Sequence, residues 1–115
     1  MLNVYGIKNC NTVKKALDWL TANNIEYTFH DFKKAPATIE KLENWEKSVS
    51  WELLVNKKGT TWKKLTADEQ ATVIDANSAN KVLLNNNSMI KRPIIELKDN
   101  VILGFNEEEY AQKLK

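Results

Sequence analysis

Apolar positions change their period several times along this chain, and each change marks an element. Over residues 2–7, aromatic and β-branched side chains form a short run bounded by Lys8 and Asn9, which predicts a first strand. Val13, Ala16, Leu17 and Leu20 then fall at the i, i+3, i+4, i+7 spacing of a buried helix face, predicting a helix from Asn11 to about Ala22. Asn23 and Asn24 break that pattern. Beyond them Ile25, Tyr27 and Phe29 alternate with Glu26, Thr28 and His30, the two-residue period of a second strand. Strand, helix and strand within about 30 residues make a βαβ unit, so these strands should run parallel with a right-handed crossover.

The next stretch, about 33–88, has no strand period and reads as several short helices. Thr38 is placed to cap a helix carrying Ile39, Leu42 and Trp45, and a shorter turn is expected at Trp51–Leu54. Asn56–Thr61 reads as a polar loop. Thr66-Ala67-Asp68-Glu69 is a capping-box sequence and should open a helix carrying Val73 and Ile74. A last helix through Lys81–Leu84 should end at the run Asn85-Asn86-Asn87-Ser88. Strand periods return at Ile94–Leu97 and Val101–Leu103, around a tight turn at Lys98-Asp99-Asn100 where Asn tolerates positive φ. Asn106 then caps a final helix, with Glu107, Glu108 and Glu109 at its positive end. The order predicts an α/β, thioredoxin-like fold: a mixed four-stranded sheet with an all-helical insertion between strands 2 and 3, within a single domain over 1–115.

Composition narrows the function classes. Apolar content of 43% and charged content of 28% are ordinary for a globular domain. A net charge of +2, with lysines spread along the chain, makes no electrostatic case for nucleic acid. No segment approaches the 18 uninterrupted apolar residues of a membrane span. The chain begins directly with strand-like residues, with no basic-then-apolar leader, so a cytoplasmic location is expected. One cysteine forms no internal disulfide, which suits a reducing compartment, and with a single histidine it makes a Cys/His zinc site improbable.

That one cysteine carries the chemistry. Cys10 stands where the first strand hands over to the first helix, and the unpaired N–H groups of a helix start favour an anion. A thiolate is such an anion, and it is the reactive form of cysteine. A helix end supplies about 0.3–1 kcal/mol, up to about 2 when partly buried. One pKa unit corresponds to about 1.36 kcal/mol, so the helix alone lowers the thiol by about one unit. Cations or aimed donors would have to add to this; Lys8, Thr12 and Arg92 are candidates. A lone cysteine is more commonly a buried, inert hydrophobe, but Asn9 and Asn11 on either side read as a turn open to water. Simpler readings suffice elsewhere: His30 as an edge residue, Trp19, Trp45, Trp51 and Trp62 as packing of the insertion, Lys57-Lys58 and Lys63-Lys64 as solvated faces.

Tyr5–Cys10, Gly59-Thr60-Thr61-Trp62 and Lys91-Arg92-Pro93 together resemble the arsenate reductase (ArsC)/Spx-like family, in its YffB-type branch, over essentially the whole chain. The resemblance implies that Cys10 is the nucleophile of a thioredoxin-fold redox site. It also implies a cis peptide bond at Pro93 and an Arg92 facing the thiol and its oxyanion substrate. The planar guanidinium suits that role, since it binds two oxygens at once. Two features depart from the family pattern. Val13 stands where Spx-like regulators carry a second cysteine, and an arginine of arsenate reductases falls near Leu103-Gly104. At the loop position where relatives carry a basic residue stands Lys58, a point charge without the planar fork.

The expectation is therefore a glutathione-dependent thiol reductase with Cys10 and Arg92 as catalytic residues. Lys8, Asn9, Asn11, Thr12, Lys58 and Pro93 would line the substrate site, with no metal and no bound cofactor. Because Val13 cannot resolve an adduct, glutathione or a glutaredoxin-type protein would serve as the external thiol. The alternative is an Spx-like regulator that contacts RNA polymerase. On either reading the chain is expected to be a monomer.

Overall fold

A computed structural model describes residues 1–115. They form two compact units, one of Met1–Ala35 with Arg92–Lys115 and the other of Pro36–Lys91.

The first unit holds the sheet. Strands β1 (Leu2–Gly6), β2 (Tyr27–Asp31), β3 (Ile94–Glu96) and β4 (Val101–Leu103) lie in the order β2-β1-β3-β4. β1 and β2 run parallel, while β3 is antiparallel to both β1 and β4. This is the expected mixed sheet of a thioredoxin-like fold. Helix α1 (Asn11–Ala22) follows β1. A C-terminal helix (Glu107–Leu114), labelled α7 below because five helices precede it in the second unit, packs with α1 on one sheet face. Val4, Ala16, Leu20, Ile95, Ile102 and Tyr110 form the core between them, all essentially inaccessible to solvent. Trp19 belongs to this core and not to the insertion: its ring meets that of Tyr110 edge-on at 5.4 Å. A residue on α1 inherits the partners of α1, whatever its side chain has in common with the other tryptophans.

Two further local expectations fail for physical reasons. The first strand stops at Gly6, and Ile7, though buried, already belongs to the connection to α1. The β3–β4 turn closes without positive φ at Asn100. The Leu97 N–H donates to the Asn100 carbonyl at 2.8 Å, and the Asn100 Oδ1 accepts from Val101 at 2.8 Å. Positive φ occurs instead at Asn24 (58°), just after α1, and at Gly104 (77°).

The second unit contains α2 (Ile39–Glu46), α3 (Trp51–Leu54), α4 (Thr60–Lys63), α5 (Ala67–Ala71), α6 (Ala76–Asn85) and a 3-10 turn at Asn87–Met89. Its limits fall at 36 and 91, against 33 and 88 read from the sequence. Phe32 donates to the Gly6 carbonyl and Ala35 to that of Asp31, which ties 32–35 to the sheet. Ile90 pairs with Val55 and Lys91 donates to Leu54, which ties 90–91 to the helices. Thr60 and Thr61, expected in a loop, open α4, where Gly59 is the N-cap. The Thr66–Glu69 capping box is present, but its helix ends at Ala71. Val73 is buried beyond it and Ile74 is 73% exposed. A second capping box, Asp75 with Ser78, starts α6 immediately afterwards. Side-chain acceptors at 75 compete with continuation of α5, so the first of the two expected helices stops short of Val73 and the second starts at Ala76.

Candidate active site

The path from β1 into α1 builds the site. Gly6 ends the strand where α1 presses closest: a Cβ there would lie 3.0 Å from the Val13 Cγ2 and 3.6 Å from the Phe29 ring. The absent side chain lets the first turn of the helix seat against the strand. Lys8 and Asn9 then cross an exposed bend. Cys10 follows as the N-cap of α1, with extended backbone (φ −139°, ψ 121°), and its carbonyl accepts the first helical bond from Lys14 at 3.0 Å. Val13, fully buried, anchors that turn, whereas Asn11 and Thr12 face solvent. The thiol is half-buried.

Sheet register delivers Arg92. In the antiparallel β1–β3 pair, Ile94 lies opposite Tyr5 and Glu96 opposite Asn3. Extending that ladder back from Ile94 sets Pro93 opposite Gly6, the last residue of β1, and carries Arg92 past the strand end, toward the start of α1. The Arg92–Pro93 bond is cis, and the Pro93 carbonyl accepts from the Gly104 N–H at 2.8 Å. The guanidinium reaches the Cys10 sulfur as both hydrogen-bond donor and charge.

The ionisation of Cys10 reflects a contest. Burial is the largest single influence and pushes the thiol up. Against it act the Val13 N–H, the hydrogen bond and charge of Arg92, and the Thr12 N–H, and together they hold the thiol below its ordinary value. The Cys10 side chain forms no capping bond of strict geometry, as expected of sulfur, a weak acceptor. The amides act mainly on the anion. Such a sulfur, partly exposed and stabilised as thiolate, is equipped for nucleophilic attack.

The structure thus brings together Cys10, Thr12 and Arg92 with its neighbour Pro93. Lys8, Asn9 and Asn11 flank the sulfur in sequence as exposed residues. Lys58 lies in the other unit, between α3 and α4, where its N–H is held by the Asn56 Oδ1 at 3.2 Å. In the sequence Val13 registers only as an apolar helix position, which does not reveal the role of its amide. Its place three residues after the cap is the available signal, because that N–H is one of those a helix leaves unpaired. His30 has specific partners: it stacks on Tyr5 at 4.4 Å and its Nε2 lies 3.0 Å from the Asn3 Oδ1. No group of three or more His, Cys, Asp or Glu side chains is placed to hold a metal ion, and no helix is long and apolar enough to cross a membrane.

Residues 5–113 match the ArsC family. The chain belongs to that family. Among curated relatives, an uncharacterised Haemophilus influenzae protein is 47% identical over 111 residues, which cover 96% of each chain. The global transcriptional regulator Spx of Staphylococcus saprophyticus is 23% identical over 99% of this chain and 87% of its own. Among solved structures, a YffB protein superposes with a TM-score of 0.94 at 37% identity, covering all of both chains. An arsenate reductase (ArsC) related protein from Brucella melitensis gives 0.78 at 43% identity, covering 99% of this chain and 94% of its own. An arsenate reductase related protein and a transcriptional regulator thus each align with nearly the whole of this chain. Within this ArsC-family chain, the residue three positions after the thiol is a buried valine, and the position near the β4 end is Leu103-Gly104.

Proposed function

We propose that this chain is a thiol-dependent oxidoreductase of the ArsC family that uses glutathione, or a glutaredoxin-type protein, as its external reductant. The observation that carries this reading is the convergence of Arg92 and the first amides of α1 on a half-exposed Cys10. The Cys10 thiolate attacks one sulfur of a mixed disulfide between substrate and glutathione. A bond forms between Cys10 and the glutathione sulfur, the old S–S bond breaks, and the substrate leaves as a thiolate. Arg92 and the helix amides stabilise the negative charge that moves through the site. A second glutathione thiolate then attacks the adduct, releasing oxidised glutathione and restoring Cys10. In net terms one glutathione thiolate is consumed, the substrate thiolate is released, and the disulfide bond passes from the substrate to oxidised glutathione. The exposed residues Lys8, Asn9 and Asn11 are assigned to substrate binding. Reliance on an external thiol suits the reducing cytoplasm.

Iodoacetamide alkylation rates against pH provide the test, followed by mass analysis after exposure to oxidised glutathione. The reading expects a midpoint below that of an ordinary thiol, about 8.5, and a single glutathione adduct on Cys10. A midpoint at or above that value, without an adduct, rejects the enzyme.

The Spx relatives favour a second reading, in which the chain regulates transcription by contacting RNA polymerase and Cys10 acts as a sensor or is idle. Affinity capture from a cell extract separates the two. RNA polymerase subunits retained equally by wild type and Cys10→Ser support the regulator, and their absence rejects it.

A further inference from the structure

In the second unit, α6 packs against α2 and α3. One polar pair bridges α6 and α2: the Asn80 Nδ2 donates to the Glu46 Oε1 at 3.1 Å. Asn80 is 2% exposed, the single polar residue that is fully buried. The second oxygen of each side chain, Glu46 Oε2 and Asn80 Oδ1, is also buried, and neither has a donor. Two orphaned acceptors on two groups already joined by one hydrogen bond lack one thing in common, a proton.

We propose that Glu46 and Asn80 form a proton-binding latch between α2 and α6. Protonated at Oε2, Glu46 donates to the Asn80 Oδ1 while its Oε1 still accepts from Nδ2, so one proton taken from solvent satisfies both orphans in a reciprocal acid–amide pair. Ionised, the carboxylate leaves two buried acceptors unpaired, a costly arrangement. Burial, the largest influence, pushes the Glu46 carboxyl up, the Asn80 bond opposes this, and Glu43 pushes it further up. Other charged residues on the packed helices are Glu40 and Lys41 on α2, Glu52 on α3 and Lys81 on α6. A carboxyl raised in the folded state binds its proton more tightly there than in the unfolded chain. Acidification therefore tightens the unit that carries Lys58, and the tightening is lost as pH rises through the folded value.

Two measurements on the full chain test this. In a carbon-13 NMR titration, the Glu46 carboxyl is expected to protonate at higher pH than the exposed glutamates. In urea unfolding, Glu46→Gln supplies a permanent donor to Asn80 and removes the titration. Its midpoint should exceed that of wild type near neutrality, and the difference should vanish as pH falls through the Glu46 titration. A Glu46 signal that titrates with the exposed glutamates overturns the latch even if the variant fails to fold. A separation between the two midpoints that does not change with pH overturns it equally.

Discussion

Beside the Val13 and Thr12 amides, Arg92 lowers the Cys10 thiol through both a hydrogen bond and its charge, against the cost of burying the sulfur. A hydrogen bond to a charged group is worth about 1.5–3 kcal/mol, less where water screens it. Arg92→Ala should therefore raise the Cys10 pKa and slow alkylation near neutrality by about 3- to 10-fold, an effect of about 1 kcal/mol. Arg92→Lys, keeping charge without the fork, should fall between the two. The rate at a pH above both titrations should change little, which distinguishes lost ionisation from lost access. The linkage has a definite sign. Because the folded thiol ionises below its unfolded value, its contribution to stability grows as pH rises from the folded to the unfolded value. It is lost as pH falls through the folded value. The pH slope of wild-type stability minus that of Cys10→Ser isolates it.

The lysines beside the site bear on which partner the sulfur meets. Helix α7 follows dipole preference, with Glu107–Glu109 in its first turn and Lys113 in its last. Helix α1 has no acid in its first turn, and the exposed Lys14 and Lys15 follow directly. Helical side chains lean toward the N-terminus, so Lys14 extends back over the turn that begins at Cys10. On the proposed function, Lys14→Glu with Lys15→Glu should slow attack on an anionic disulfide such as oxidised glutathione several-fold at low salt. Attack on cationic cystamine should speed up, and both effects should fade within the range of ionic screening, about 0.1 M and above. Stopped-flow rates with the two disulfides at two salt concentrations check this.

Among elements, legibility in the sequence followed the length over which a period can repeat. The β1–α1–β2 run is readable because twelve residues of α1 give the helical spacing room to recur and β2 alternates cleanly. The four-residue helices α3 and α4 complete barely one turn, too little for any periodicity, and only the Ser50 cap and Gly59 announce them. Asp75 does not read as a helix start, because its box closes with Ser78 in place of the usual Glu or Gln. Cys10 was legible as a residue between two periods. Its encounter with Arg92 depends on a β1–β3 register across more than eighty residues, a non-local fact that motif resemblance supplied and spacing did not. One contact is diagnostic at this scale: the buried Tyr110 hydroxyl donates to the Gly104 carbonyl, joining α7 to the turn after β4. Tyr110→Phe keeps the ring packing against Trp19 and Phe105 and orphans that carbonyl, so a loss of about 1–3 kcal/mol is expected in urea unfolding. Burial holds the Tyr110 hydroxyl well above the usual tyrosine range, so this loss should not change with pH near neutrality.

For the molecule as a whole, a single cysteine means that any disulfide it forms must be with another molecule. The family position that would change this is occupied by Val13, whose side chain is fully buried under the first turn of α1. Residues three apart at a helix start have Cα atoms about 5 Å apart, within the range a disulfide spans. Val13→Cys removes little volume, at a cost of about 1 kcal/mol, and places a second thiol within reach of the first. Exposed to oxidised glutathione, the wild type should accumulate a glutathione adduct that only added thiol removes. The variant should lose that adduct unaided and become two hydrogens lighter than its reduced form, as mass spectrometry would record. Persistence of the adduct in the variant would mean that the Val13 position is sealed from the sulfur. Dependence on an external reductant would then follow from the packing of α1 on Gly6 as well as from the missing thiol.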